Sequence, residues 1–468
     1  MHLSELSQKT ARDIVKLLQT KAISPQELLD IVFARTAEVE PHINAIPTLC
    51  PERARVAASG LADDTMLAGL PIAVKDLTVV AGVRTTFGTR GYADFVPDQT
   101  DPLIERLEER GAIVIGKSNT PEMGAGGNTF NDVFGATRNP WNTAMNAGGS
   151  SGGAAAALAT GEVWLAHGSD LGGSLRTPAA YCGVVGLRPS PGRAGGGSVD
   201  NVFGIEGVQG PMARNVRDCA LFLDAMSGFD PRQPISLEPP ASPFLAAAET
   251  GLKPSKIAYS PHHDGVGEVE PEIDQILRAA LTKLEPSVAI EEACPHLPDL
   301  DRIYTILRAV AWAAGAGRQP EHIQQHFKAA LKENIALATS YSIDDIVDAI
   351  TGRSVIYHAM CHFLGEFDLL ASPVVGLEPG PVEIEYPKSV NGVATRNYLD
   401  WLRYSFLATT AGLPALSLPV GFTKSGMPVG IQLIGPARGE AKLLAMAAYI
   451  EDRLGIAGQV PINPRPAT

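Results

Sequence analysis

Short apolar runs that alternate with helix-patterned stretches constrain this chain more than any other feature. Leu70-Pro71-Ile72-Ala73-Val74 reads as a strand, Leu103, Ile104 and Leu107 mark a helix ending at Gly111, and Ala112-Ile113-Val114-Ile115 reads as the next strand. Trp164-Leu165-Ala166, Lys256-Ile257-Ala258-Tyr259, Leu369-Leu370-Ala371-Ser372-Pro373, Ala415-Leu416-Ser417-Leu418 and Val429-Gly430-Ile431-Gln432-Leu433-Ile434 extend the series. Strands written as continuous apolar runs are buried on both faces. The expectation is an α/β fold: a large mixed, mostly parallel-type sheet covered by helices on both faces. Reactive groups in such sheets lie beyond the carboxyl ends of strands, and Lys75 directly follows its strand.

The flanking segments follow from local signals. Thr10 with Asp13, and Ser24 with Pro25 and Glu27, are helix starts of the capping-box type. Beyond Gly228 the prolines Pro231, Pro234, Pro239, Pro240 and Pro243 lead into helical patterns at 273–284, 303–313 and 322–348. The expected organisation is N-terminal helices wrapping the core (1–60), an α/β catalytic core (61–228 and 365–468) and a mostly helical insertion shaping the substrate mouth (229–364), all one extended unit.

Composition narrows the function. The net charge of −13 with no long basic run argues against a nucleic-acid surface. The five cysteines are scattered and form no C-x-x-C, as in reduced thiols. Met1 to Leu6 lacks a basic region leading into an apolar core, and no run spans a bilayer. A cytoplasmic enzyme of small molecules, monomeric or homodimeric, is expected, with no nucleic-acid or membrane partner.

Three motifs compete for the chemistry. Gly111-Ala112-Ile113-Val114-Ile115-Gly116-Lys117-Ser118 spells a phosphate-binding loop, which makes a nucleotide-binding protein the rival of another class. Its middle residues read as strand, whereas phosphate needs a loop with its N–H groups turned outward. His322 with His326, and His358 with His362, have i, i+4 spacing for zinc, but no third ligand accompanies either pair. Gly148-Gly149-Ser150-Ser151-Gly152 matches a nucleophile elbow, yet the stretch before it reads as loop, and His167, at a strand end, reads as structural.

Two glycine–serine clusters remain, Gly148-Gly149-Ser150-Ser151-Gly152-Gly153 and Ser169-Asp170-Leu171-Gly172-Gly173-Ser174. Serines set among glycines, with a lysine at a strand end upstream, point to a nucleophile activated by lysine rather than imidazole. Consecutive N–H groups ahead of Ser174 can form an oxyanion hole. Ser150 precedes a small-residue helix whose N-terminus favours a developing alkoxide.

These clusters, with Gly168-Ser169-Asp170-Leu171-Gly172-Gly173-Ser174-Leu175-Arg176-Thr177-Pro178 and Cys182-Gly183-Val184-Val185-Gly186-Leu187, resemble the amidase signature family. Gly69 to Asp76, Gly135 to Asn142, Gly412-Leu413-Pro414-Ala415 and Pro428 to Gln432 extend the likeness over most of the chain; residues 230–360 are not diagnostic. The resemblance implies Ser174 as nucleophile, Ser150 as a bridging serine at a cis peptide and Lys75 as base. It further implies a backbone oxyanion hole at Leu171, Gly172, Gly173 and Ser174, with Ser151, Asp170 and Arg176 in support, and no metal or cofactor. Arg188, Ser190 and Thr409 depart from the family's usual lysine, threonine and asparagine. Met123, Gly124, Ile306 and Trp312 are expected to line the pocket. The expected activity is hydrolysis of a small or medium apolar amide, anilide or carbamate (urethane), with esterase side activity. The alternative within the family is a glutamine-hydrolysing subunit of a tRNA-dependent amidotransferase.

Overall fold

The computed structural model describes residues 3–195 and 201–466; Met1 and His2, at the start of the stretch read for a leader, lie outside them. The strands of the main sheet, in chain order, are β1 (Thr48–Leu49), β2 (Leu70–Lys75), β3 (Ala112–Ser118), β4 (Leu165–Asp170), β5 (Val185–Arg188), β6 (Val208–Ala213), β7 (Lys256–Tyr259), β8 (Ala289–Glu292), β9 (Leu369–Pro373), β10 (Ala415–Phe422) and β11 (Pro428–Ile434). They form one 11-stranded sheet in the order β1-β3-β2-β4-β6-β5-β10-β11-β9-β7-β8.

The sheet is mixed, as expected, but antiparallel pairings outnumber parallel ones. β3-β2-β4 and β9-β7-β8 are parallel, whereas the middle, from β4 through β11 to β9, is antiparallel throughout. A strand covered on both faces reads as an apolar run whatever its direction, so the runs announced strands without announcing their sense.

Both N-terminal capping boxes form: Thr10 with Asp13 starts Ala11–Gln19, and Ser24 with Glu27 starts Pro25–Ile43. The 229–364 stretch is helical, but it also supplies β7 and β8 to the sheet edge. Its 322–348 helix is broken into Glu321–Gln324, Ala329–Leu337 and Ile343–Glu366. Ser342 accepts from the Asp345 N–H and opens the last of these with its own capping box, which the apolar pattern alone did not reveal. Asn142–Asn146, read as loop, is a strand paired with Arg138–Asn139 outside the main sheet. Among the described residues, no helix is long and apolar enough to cross a membrane.

The glycine-lysine-serine stretch is spent on the fold. β3 is buried along its whole length, and a β-carbon at Gly116 would lie 2.4 Å from the carbonyl oxygen of Thr48 in β1. Lys117 Nζ donates to Thr78 O (2.6 Å) and Thr85 Oγ1 (2.8 Å) and lies 3.4 Å from Asp76 Oδ1. Phosphate finds neither a loop nor a free lysine there. Gly116→Ala is expected to cost about 1–3 kcal/mol by forcing β1 and β3 apart, measurable as a lowered urea midpoint with an unchanged m-value.

Candidate active site

β2 and β4 run parallel and side by side, so their carboxyl ends open on the same edge of the sheet. Lys75 ends β2 and is fully buried. Its Nζ lies 2.7 Å from Ser150 Oγ, 2.9 Å from Ser151 Oγ and 3.0 Å from Ser169 Oγ. Burial lowers the Lys75 pKa, against the attraction of the Asp170 carboxylate, to about 7. A neutral amine carries one lone pair and two N–H groups, which fit three hydroxyl neighbours.

Ser150 and Ser151 precede the buried Gly152–Thr160 helix, and the Gly149–Ser150 peptide is cis. The Ser151 N–H donates to the Ser174 carbonyl (3.1 Å), which ties the two clusters together. Ser150 is buried and Ser174 only partly so, which leaves Ser174 the more accessible hydroxyl.

β4 ends at Asp170, which holds the turn that follows. Its carboxylate accepts from the N–H groups of Gly173 (3.0 Å) and Leu175 (3.1 Å) and from Arg176 Nε (3.0 Å) and Nη2 (2.8 Å). Arg188 Nη1 donates to the Asp170 carbonyl at 2.5 Å and lies 3.4 Å from its carboxylate. Burial pushes this carboxyl up, but Arg176 and Arg188 outweigh it and hold the group well below the usual carboxylate range. Gly173 takes φ of +87°, a conformation that suits glycine.

Of the four backbone donors expected from sequence, Gly173 is therefore committed to Asp170. Among the described residues, the N–H groups of Leu171, Gly172 and Ser174 donate to no protein acceptor. Three donors, rather than four, stand free around the turn.

His167 is buried and held by two hydrogen bonds. Its Nδ1 accepts from the Lys75 backbone N–H (3.4 Å), so Nε2 carries the proton toward Gln209 Oε1 (2.6 Å). Burial lowers its pKa to about 3. Among the described residues no cluster of three or more histidine, cysteine, aspartate or glutamate side chains could hold a metal ion, and the five cysteines form no disulfide.

The pocket expectations divide. A β-carbon at Gly124 would lie 3.5 Å from Ser150 Oγ, so Gly124 borders the site. Met123 and Trp312 pack on one apolar cluster with Ala125, Ala316, Ile323, Phe327 and Leu331. Ile306 does not belong with them. It is buried in a separate cluster that also holds Tyr304, but it lies about 200° around the Leu300–Ala314 helix from Tyr304, on the side of Ala349. Tyr304 is the residue that meets the site: its Oη donates to Leu171 O (3.4 Å) and would lie 2.4 Å from a β-carbon at Gly172. Sequence reading missed Tyr304, and it also left Ser169 and Arg188 without a role, although Ser169 sat inside a quoted cluster.

Comparison with known proteins supplies the family. An amidase family model aligns with residues 27–444. The chain belongs to the amidase family. The A-type component of a glutamyl-tRNA(Gln) amidotransferase from Moorella thermoacetica is 35% identical over 95% of this chain and 96% of that protein. An acylamidase from Rhodococcus erythropolis is 32% identical over 94% of each. Among solved structures, a bacterial aryl acylamidase of the amidase signature family superposes with a TM-score of 0.88 at 29% identity, covering 97% of this chain and 99% of its own. As a member of the amidase family the chain is a carbon–nitrogen hydrolase.

The tight ion cluster generates one expectation. Arg176→Met leaves Asp170 buried with half its compensation and is expected to cost about 3–5 kcal/mol in urea unfolding. Adding Asp170→Asn should recover part of that loss, because the uncompensated charge is then gone.

Proposed function

We propose that the chain hydrolyses a small or medium apolar amide, anilide or carbamate through an acyl-enzyme on Ser174. The observation that carries this reading is Lys75: a buried amine with a pKa lowered to about 7 and a 2.7 Å contact to Ser150 Oγ. Neutral Lys75 takes a proton from Ser150, Ser150 takes one from Ser174, and Ser174 Oγ attacks the carbonyl. The N–H groups of Leu171, Gly172 and Ser174 receive the oxyanion. Ser150 returns its proton to the departing amine, and water, deprotonated along the same relay, releases the acid. Ser151 and Ser169 hold the amine in line, and Asp170 with Arg176 and Arg188 holds the turn.

The apolar cluster of Met123, Ala125 and Trp312 beside Gly124 supports an aryl or alkyl group next to the scissile bond. The similarity to an acylamidase supports the same class. Carbamates and activated esters present the same carbonyl to the same groups and belong to the proposed range. A second reading rests on the similarity to the glutamyl-tRNA(Gln) amidotransferase component: in that case glutamine is the amide donor. A panel of anilides, aliphatic amides, carbamates, esters and glutamine, ranked by kcat/KM, separates the two.

Ser174→Ala is expected to abolish turnover and labelling by a serine-directed probe while the fold persists; substantial residual amidase activity removes Ser174 from the nucleophile's place. The pH profile follows from the base. The active form of Lys75 is neutral, so kcat/KM is expected to rise about tenfold per pH unit on the acid side and level off above an apparent pKa of about 7. A profile that stays flat through the acidic range contradicts a lysine base.

A further inference from the structure

Arg308 is only 5% exposed, yet no carboxylate of the protein pairs with it among the described residues. Its guanidinium donates to two neutral acceptors, Asn334 Oδ1 and Tyr398 Oη, and lies over the rings of Trp312 and Tyr398, 5.3 Å from each centroid. The nearby acids are already engaged: Glu206 pairs with Arg353 at 2.6 Å and Glu385 with Lys328 at 2.7 Å. The buried Arg176 and Arg188, by contrast, share Asp170. A buried cation without a counterion is costly unless something else supplies the anion.

Its position indicates what that is. Tyr304, Arg308 and Trp312 are spaced i, i+4 and i+8 on the Leu300–Ala314 helix and share one face. Tyr304 touches the turn at Leu171 and Gly172, and Trp312 packs with Met123 on the Gly124 side of Ser150. Arg308 stands between them, about 6 Å of helix rise from each. Its face therefore runs from the free N–H groups to the apolar cluster beside Gly124.

We propose that Arg308 binds a carboxylate carried by the substrate, so that the preferred amides have an apolar or aromatic body and a free carboxylate on either the acyl or the amine half. This rests on the hydrolase reading above. A planar guanidinium flanked by two rings is pre-oriented for a two-point hydrogen bond, and in a dry site that pair outcompetes the neutral acceptors Asn334 and Tyr398.

The test uses two acids and their neutral methyl-ketone analogues: succinanilic acid with 4-oxopentananilide, and N-acetyl-4-aminobenzoate with 4-acetylacetanilide. Release of the aromatic amine is followed for the full-length enzyme. For one acid of the two, which also identifies the half that carries the anion, wild-type kcat/KM is expected to exceed that of its ketone by about 100-fold. Arg308→Gln should erase that preference through KM, and Arg308→Lys should retain part of it. Ketones cleaved as well as both acids overturn the proposal and leave the hydrolase reading standing. An acid preference that survives Arg308→Gln, or equal losses on acid and ketone, overturns it as well. Wild-type enzyme that releases amine from none of the four overturns the proposal, and one that also fails on the aliphatic amides and carbamates removes the hydrolase reading with it.

Discussion

The buried ion cluster at the end of β4 organises everything around it. Asp170 accepts from two backbone N–H groups of the turn and from Arg176, while Arg188 grips its carbonyl and lies beside its carboxylate. Arg176 also reaches Gln432 in β11 at 2.5 Å, and Gln432 in turn donates to Ser372 of β9 and to the Tyr404 carbonyl. One carboxylate thus sets the turn and, through Arg176, ties it to strands on the far half of the sheet. Removing such charges from water is expensive, and the cost is offset only while every partner stays in place. The turn is held to one shape, and its free N–H groups point wherever that shape sends them.

Two lysines at neighbouring strand ends show how burial and partnership divide structure from chemistry. Lys117 and Lys75 are both fully buried, and burial lowers both pKa values. Lys117 faces Asp76 and two oxygen acceptors, which leave it at about 8 and fasten it as a cation. Lys75 meets only neutral groups, three hydroxyls and the Ser169 carbonyl, with Asp170 attracting it from beyond them, and falls to about 7. A carboxylate placed directly against Lys75 would raise its pKa and leave less free amine at neutral pH.

What was legible in sequence and what was not follow from range. Lys75, Ser150, Ser151 and the 170–176 turn could be placed together because a strand end and two glycine-rich clusters are local signals. The capping boxes of Thr10 and Ser24 were legible for the same reason. Strand direction was not, because an apolar run carries no arrow. A helix's apolar residues do not reveal which neighbour each will meet: Ile306 and Tyr304 share one cluster, yet Tyr304 reaches the Leu171 carbonyl and Ile306 lies on the side of Ala349. The role of Arg188 depended on β5 lying two strands from β4 with β6 between, a relation that pairing creates and sequence spacing hides. The commitment of the Gly173 N–H to Asp170 was equally invisible, since it depends on a turn geometry shared by three donors.

The core is divided into separate apolar clusters. The largest runs through the sheet from β2 and β3 to β7, β10 and β11 and takes in the N-terminal helices, whereas a second joins the Leu300–Ala314 and Ile343–Glu366 helices to β9 and the Trp401–Phe406 region. Lys75 ends β2, whose apolar residues belong to the first; Tyr304 belongs to the second, and Trp312, two turns along the same helix, packs with Met123 on a third. Substitutions that repack the second cluster shift the Leu300–Ala314 helix by fractions of an ångström without loosening β2 and β4, which end at Lys75 and Asp170. On the reading proposed above, the chemistry and the choice of substrate are therefore separately heritable: lineages can diverge in what they cut while the means of cutting stays the same.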